Sequence, residues 1–467
     1  MSEEMKNNEF EAEAVGECAD VKKAKAPKTI SLSQFVFSAI ALVLAAVMTT
    51  YVCCGAFYKK KIADAKLESV GGASSYEKYE ALALIEALFE AYGYYDDLDE
   101  DKIIEYVLKA YVAATGDVHA RYLTAEEFED SMLSSEGSGE GIGINVIYSE
   151  ISYGGELVGA VEVIAVSPDS PAEEAGIMVG DLIMWVDTDD GERSVDELGY
   201  NGTMAVFKGE AGTKVNFSVL RAADGVYEKK SFSVERRKVT YRSVVSKVSE
   251  ADASVGIVKI TSFDTVTPMQ FSEAMDALIA GGCDKFVFDV RYNLGGDLNS
   301  IRAILSYFLE EGDVILSVVD KNGNREEIKA EPISHDSERY EPCNVSADDI
   351  GKYRDYEMSV ICNGNTASAA ELFVAALRDY ELADVVGETT YGKGSVQTTI
   401  PLERFGYSGA LKITTKLYYP PCGEGYDGEG ITPDVQVTLS DEAKKYSIYK
   451  LPQSLDDQLI AAIEALK

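Results

Sequence analysis

From Phe35 to Phe57 the chain runs for 23 residues without a charged side chain or a proline. That run limits the fold more than any other stretch, because a helix on a soluble core needs a polar face and this one offers none. As an α-helix it would extend about 34 Å, enough to cross a hydrocarbon layer of about 30 Å. The expectation is a single transmembrane anchor over residues 35–57, preceded by a polar segment over 1–34. A cleaved signal peptide fits less well. The region before the run is long and acidic, and its end, Tyr51-Val52-Cys53-Cys54-Gly55, lacks a small-x-small cleavage site. Lys22, Lys23, Lys25 and Lys28 precede the run and Lys59, Lys60 and Lys61 follow it, so charge alone does not orient it. One anchor ahead of a long carboxyl-terminal part is most simply a single-pass protein of the cell membrane with its bulk outside the cytoplasm.

The chain has 467 residues, enough for two or three packed cores. A hydrophobic fraction of 46% beside 26% charged residues describes a globular chain. The net charge of −37 excludes nucleic acid as a partner, since a phosphate backbone needs a basic face. Seven cysteines form no C-x-x-C and the distal four are scattered, so neither a zinc site nor a dense disulfide framework is indicated. With no His-Glu-x-x-His and no Walker loop, no cofactor or metal is expected. The two histidines, His119 and His335, leave little room for the commonest general base.

Beyond a stalk over 59–72, apolar residues at helical spacing (Leu82, Ile85, Leu88, Phe89, Tyr92) predict a helix over 76–95, and the pattern repeats over 102–114. These belong to a small helical region over 75–132. Gly137-Ser138-Gly139-Glu140-Gly141 breaks it and opens a β-rich module over 137–238. Strands are expected at 143–148, 161–166, 181–186, 214–221 and 231–236, and helices near 171–175 and 195–207. From Ser254 strands alternate with helices, so the overall class is α+β with a mixed α/β core over 240–440, followed by a helical segment over 441–467.

Within the β-rich module, Gly141-Ile142-Gly143-Ile144, then Ser167-Pro168-Asp169-Ser170-Pro171-Ala172, Ala175-Gly176-Ile177 and Gly180-Asp181-Leu182-Ile183 follow in order. The arrangement resembles a PDZ domain. A glycine-flanked loop lets backbone N–H groups converge on a peptide's terminal carboxylate while the adjoining strand edge pairs with its backbone.

Three segments of the α/β core carry chemistry. An apolar strand, Lys285–Arg291, runs into Tyr292-Asn293-Leu294-Gly295-Gly296 and a helix over 298–309. A second strand, Met358–Cys362, leads through Asn363-Gly364-Asn365-Thr366 to a helix over 367–380 that contains Ser368. The third reads Gly392-Lys393-Gly394-Ser395-Val396-Gln397. The first two are strand–turn–helix units whose helix starts present N–H groups to negative charge. In an open α/β sheet such turns share one crevice at the strands' carboxyl ends. A serine there can attack a carbonyl while nearby N–H groups hold the oxyanion, and Gly295 and Gly296 allow the close approach of a second donor. Neither histidine lies in a turn suited to catalysis. A Ser–Lys pair is a recognised alternative, provided burial lowers the lysine pKa by about three units. Taken alone, Lys393 reads better as an exposed loop lysine.

Asn365-Thr366-Ala367-Ser368-Ala369-Ala370-Glu371, Val386-Gly387-Glu388-Thr389-Thr390-Tyr391-Gly392-Lys393-Gly394-Ser395-Val396-Gln397, Arg291-x-Asn293-x-Gly295-Gly296 and Gly428-x-Gly430-Ile431-x-Pro433-Asp434 resemble, in one order, the C-terminal processing (tail-specific) protease family. Gly116-Asp117-Val118-His119-Ala120-Arg121-Tyr122-Leu123-Thr124 is similar to a family segment ahead of the PDZ domain, which makes His119 structural. The resemblance covers about 75–440. It implies Ser368 as nucleophile, Lys393 as general base (393 − 368 = 25 residues later) and Gln397 as the residue that positions the lysine. It further implies an oxyanion hole from Ala369 and from Gly295 or Gly296, substrates with apolar carboxyl termini, gating by peptide binding to the PDZ domain, and amino-terminal helices able to dimerise. Pro420-Pro421-Cys422-Gly423 departs from the family's usual Pro-Ser-Gly-Arg turn, which bears on the substrate cleft. A non-catalytic PDZ scaffold for membrane-protein tails is the rival reading, and a Ser–His hydrolase using His335 ranks behind it.

Overall fold

A computed structural model of the chain describes residues 80–94, 99–223, 226–446 and 448–466. The expected anchor over 35–57 lies outside the described residues, and among those described no helix is long and apolar enough to cross a membrane. The chain divides into two compact units, Met1–Tyr94 and Tyr95–Lys467. Of the first, the structure describes helix α1 (Glu80–Tyr92), on which Leu82, Ile85, Leu88 and Phe89 are exposed rather than buried. The apolar spacing thus marks the helix, slightly shorter than the expected 76–95.

The second unit begins with α2 (Glu100–Ala113), strand β1 (Arg121–Leu123) and α3 (Ala125–Ser135). Asp99 caps α2 through the Lys102 N–H, and Thr124 with Glu127 forms a reciprocal capping box on α3. The β-rich module follows: β2 (Ser138–Gly141), β3 (Ile144–Tyr153), β4 (Glu156–Val166), α4 (Pro171–Glu174), β5 (Leu182–Thr188), β6 (Gly191–Ser194), α5 (Val195–Phe207), β7 (Lys214–Ala223), β8 (Val226–Glu235) and β9 (Arg237–Thr240). Its sheet runs β3-β4-β5-β7-β8 with β6 on β5, so β3 is an edge, while β2 and β9 pair separately. Inward residues of alternating strands, among them Val161, Val163, Ile183, Phe217 and Val234, close one apolar core with Ile142 and Phe207.

The remaining elements are β10 (Val244–Val248), β11 (Val255–Ile260), α6 (Thr267–Ala280), β12 (Lys285–Asp289), α7 (Leu298–Ser306), β13 (Val314–Asp320), β14 (Arg325–Lys329), β15 (Glu357–Cys362), α8 (Ala369–Asp379), β16 (Ala383–Gly387), β17 (Ser395–Pro401), β18 (Ala410–Tyr419), β19 (Val435–Gln436) and α9 (Asp457–Ala465). A six-stranded sheet has the order β10-β11-β12-β15-β16-β19, parallel except for β10. Its central strands are buried on both faces and so read as continuous apolar runs. Phe286 and Phe288 point to the face that also buries Phe271, Ile301, Phe308 and Phe373. Val287, Ile361 and Val386 point to the opposite face, closed by Leu459 and Ala462 of α9. The carboxyl-terminal segment is thus the second cover of this sheet rather than an appendage.

Sequence patterning does not anticipate a second sheet, β1-β18-β13-β14 with β17 on β18. It stands beside the carboxyl ends of the parallel strands and joins the segment at 116–124 to the core, Arg121 pairing with Lys412.

Candidate active site

β12 and β15 deliver their following loops side by side. Arg291, 2% exposed, anchors the first by a paired fork: its guanidinium donates to Asp289 at 2.8 and 2.9 Å and to Asp456 at 2.8 and 2.9 Å. Burial opposes ionisation of Asp289, but Arg291 and Lys259 outweigh it and hold the carboxyl well below the usual range. Asn293 then folds the loop onto the second turn: its Oδ1 accepts from Gly295 N–H at 2.8 Å, and its carbonyl accepts from Ala367 N–H at 2.9 Å. A Cβ on Gly295 would meet the Ser368 Cβ at 2.7 Å and Ala367 O at 2.8 Å, and one on Gly296 would meet Phe263 O at 2.3 Å. Only glycine allows the backbone to pass this close to Ser368.

Ser368 is not inside the helix, as its expected span of 367–380 implied. It precedes α8 at the N-cap with φ 59° and ψ −122°, a conformation rare for a residue with a side chain. A serine held on a strained strand-to-helix turn projects its hydroxyl beyond the backbone. Among the described residues the N–H groups of Gly296 and Ala369 donate to no acceptor, whereas that of Gly295 is taken by Asn293. Of the two glycines considered for the oxyanion, Gly296 keeps its donor free.

The loop bearing Lys393 arrives from β16 and is tied to the serine turn by one carboxylate that sequence reasoning gave no role. Glu371 is fully buried. It accepts from Ser368 N–H at 2.9 Å, Lys393 N–H at 2.8 Å, Gly392 N–H at 2.7 Å and the Thr390 hydroxyl at 2.6 Å. The signal was present as a Ser-x-x-Glu capping pattern, which reads as a helix start and conceals the second half of the job. The block at 428–434 supports the same loop: Gly428 N–H donates to Gly392 O at 2.8 Å, and Ile431 N–H donates to Thr390 Oγ1 at 2.7 Å. The Tyr418 hydroxyl donates to Lys393 O at 2.6 Å and lies beside the Ser368 side chain.

Gly295, Gly296, Ser368, Ala369, Lys393 and Gln397 all line one cavity of about 770 Å³, together with Asp264, Arg339, Lys412 and residues of α3. Neither His119 nor His335 lines it. Lys393 and Ser368 share the cavity without a hydrogen bond between their side chains, and the Gln397 amide donates to Ser395 Oγ at 3.0 Å and Thr414 Oγ1 at 3.3 Å rather than to the lysine. Burial lowers the Lys393 pKa, the Lys412 charge lowers it further, and Glu371 opposes both. Removing Lys412 therefore favours the ammonium. If Lys393 is the base, Lys412→Gln is expected to move the acidic limb of the pH–rate profile up, with little loss at the alkaline plateau. Steady-state rates from pH 5 to 10 check this.

The loop Gly141-Ile142-Gly143-Ile144 joins β2 to the edge strand β3. Gly143 has φ +84° and lies against Ser170, where a Cβ would meet the serine Cβ at 2.3 Å. The module is fastened to the core through Ser167 Oγ, which accepts from Arg242 N–H at 3.2 Å, and through Lys450, which pairs with buried Glu162 at 3.2 Å.

Residues 254–437 match the model of peptidase family S41. The carboxy-terminal processing protease CtpA of Bacillus subtilis is 30% identical over 351 residues, spanning 75% of this chain and 67% of that protein. The carboxy-terminal-processing protease of Bartonella bacilliformis is 29% identical over 357 residues, 75% of this chain and 73% of the relative. A solved structure described as an S41 protease from Bacteroides fragilis superposes with a TM-score of 0.53 at 16% identity, covering 82% of this chain and 96% of that one. The α/β core is thus a fold already seen among S41 proteases, and the sequence relationship extends well beyond it. This chain belongs to the carboxy-terminal processing proteases of peptidase family S41 and is a serine-type peptidase.

Proposed function

We propose that the chain is a membrane-anchored endopeptidase that captures protein carboxyl termini on a PDZ-like module, residues 137–238, and cleaves them through a Ser368–Lys393 acyl-enzyme mechanism. The observation that carries this reading is the single Glu371 carboxylate that holds the backbone of Ser368 and of Lys393 together beneath Gly295 and Gly296. In the reaction, neutral Lys393 takes the Ser368 hydroxyl proton as Oγ bonds to the scissile carbonyl carbon. The oxyanion receives the N–H groups of Ala369 and Gly296. The lysine ammonium then protonates the departing amine, and water releases the acyl group by the same steps in reverse. Gln397 orients the lysine. An apolar tail would add to the free edge of β3 with its carboxylate at the Gly141–Ile144 loop. The fastening of that module to the core supports gating of the dyad by peptide binding, and the exposed stripe on α1 supports pairing of two copies.

A fluorophosphonate probe tests the nucleophile. The purified protein should gain one phosphonyl group on Ser368 in tryptic mass spectra, Lys393→Ala should label much more slowly, and Ser368→Ala should not label. Equal labelling of Ser368→Ala would move the nucleophile to another residue, and a wild-type protein that takes no label would favour a tail-binding scaffold.

A further inference from the structure

We propose that Asp117 is a positioning residue that acts through Thr414 to decide which end of the Gln397 side-chain amide faces Lys393. The inference rests on the reading that Gln397 orients the lysine. Asp117 lies in the turn ahead of β1. Its Oδ2 accepts from Thr414 N–H at 2.8 Å, and its Oδ1 accepts from the Thr414 hydroxyl at 3.0 Å and from His119 N–H at 3.0 Å. A carboxylate can only accept, and these bonds outweigh the cost of its burial, leaving its pKa below the usual value. Thr414 has one hydroxyl hydrogen, and Asp117 takes it. Towards Gln397 the threonine oxygen can therefore offer only lone pairs.

A bulge between Val396 and Gln397 shifts the register of β17 on β18 and sets Gln397 opposite Thr414. Facing an acceptor there, the amide must turn its nitrogen to Thr414 Oγ1, at 3.3 Å, and to Ser395 Oγ, at 3.0 Å. Both amide hydrogens are then used, and the carbonyl oxygen is left as the end available to the lysine. A carbonyl is the correct end for catalysis, because Lys393 becomes an ammonium as it takes the serine proton and must donate to something. The other charges acting on Lys393 are Lys412 and Glu371.

Asp117→Asn keeps the shape and reverses the polarity. With its oxygen kept on the Thr414 N–H, its amide nitrogen donates to Thr414 Oγ1 at the cost of the His119 N–H bond, the freed threonine hydrogen turns to Gln397, and the glutamine presents NH₂ to the lysine. Cleavage of an unstructured protein substrate should show kcat reduced about tenfold, the effect of one hydrogen bond to a charged group, with KM unchanged. The acidic limb of the pH profile should move down, since the ammonium has lost its acceptor. Thr414→Val should reproduce both changes and abolish any further effect of Asp117→Asn, while Thr414→Ser should preserve the wild-type limb. A loss of folded protein would reduce kcat without moving the limb, and the threonine pair reads the relay even where Asp117→Asn folds poorly. A wild-type profile in Asp117→Asn and Thr414→Val, or additive losses from the two, overturns the relay. Gln397→Ala separates the two readings. A lowered kcat there with no effect of Asp117→Asn or Thr414→Val leaves the glutamine assignment standing and removes only the relay, whereas unaltered rates in Gln397→Ala remove both.

Discussion

Lys393→Met is expected to lower kcat on the order of 10⁴-fold, the size of effect that follows when a general base is taken from a paired nucleophile. Methionine retains much of the half-buried aliphatic stem, so the cavity keeps its shape and substrate binding should change little. What disappears is the amine proposed to accept the serine proton. The sign of the pH dependence follows from the environment. Burial and Lys412 bring the lysine pKa below 10.5. The wild-type rate should thus climb with pH through that lowered value and fall away in acid, where the ammonium has no lone pair to offer. In Lys393→Met the acidic limb should vanish, leaving a flat, low residual rate. Stopped and continuous assays over pH 5–10, with peptide binding measured separately by calorimetry, check both halves. A variant that keeps wild-type kcat with the limb intact would assign the base to another residue.

The second large effect concerns Glu371. Glu371→Ala leaves four donors without an acceptor, those of Gly392 and Thr390 buried and those of Ser368 and Lys393 part-buried. An orphaned buried donor costs about 1–3 kcal/mol, and water entering the space of the lost side chain recovers part of it. A net destabilisation of about 3–5 kcal/mol in urea unfolding is expected, with activity lost even in the fraction that remains folded. Glu371→Gln is the sharper test. An amide fills the same volume, but one of its two ends is a donor facing donors. It should therefore resemble alanine and not the wild type. A fully active Glu371→Gln would mean that the serine and lysine loops hold their places without this carboxylate.

Several features of the site were legible in the residues alone. The strands of the parallel sheet announce themselves as short apolar runs, because both faces are covered; helix α5 stands where its pattern placed it, with a kink at Gly199 that the pattern does not show, and Gly295 and Gly296 stand out as a pair next to a helix start. The proposed pairing of Ser368 with Lys393 rests on resemblance. Burial of Lys393, by contrast, could not be read from its flanking glycines, since the groups that shield and tune it come from Glu371, Tyr418 and Lys412. The exposed stripe of α1 shows the opposite failure. Periodicity found the helix, but periodicity says only that a face is apolar, not what covers it.

By itself the sequence determined the local chemistry: which segments become strands and helices, where backbone must run without a Cβ, and which side chains could serve as nucleophile and base. Those properties depend on neighbours along the chain, through dihedral preference, hydrophobic period and side-chain reactivity. Tertiary structure alone decided that Ser368 sits at positive φ, that one buried carboxylate unites two loops, and that Asp117 meets a strand 297 residues further on. These are hydrogen bonds and contacts between segments far apart in the chain. The carboxylate's links to the lysine loop span 19 to 22 residues and the Asp117 contact 297, so their partners become adjacent only when the chain folds.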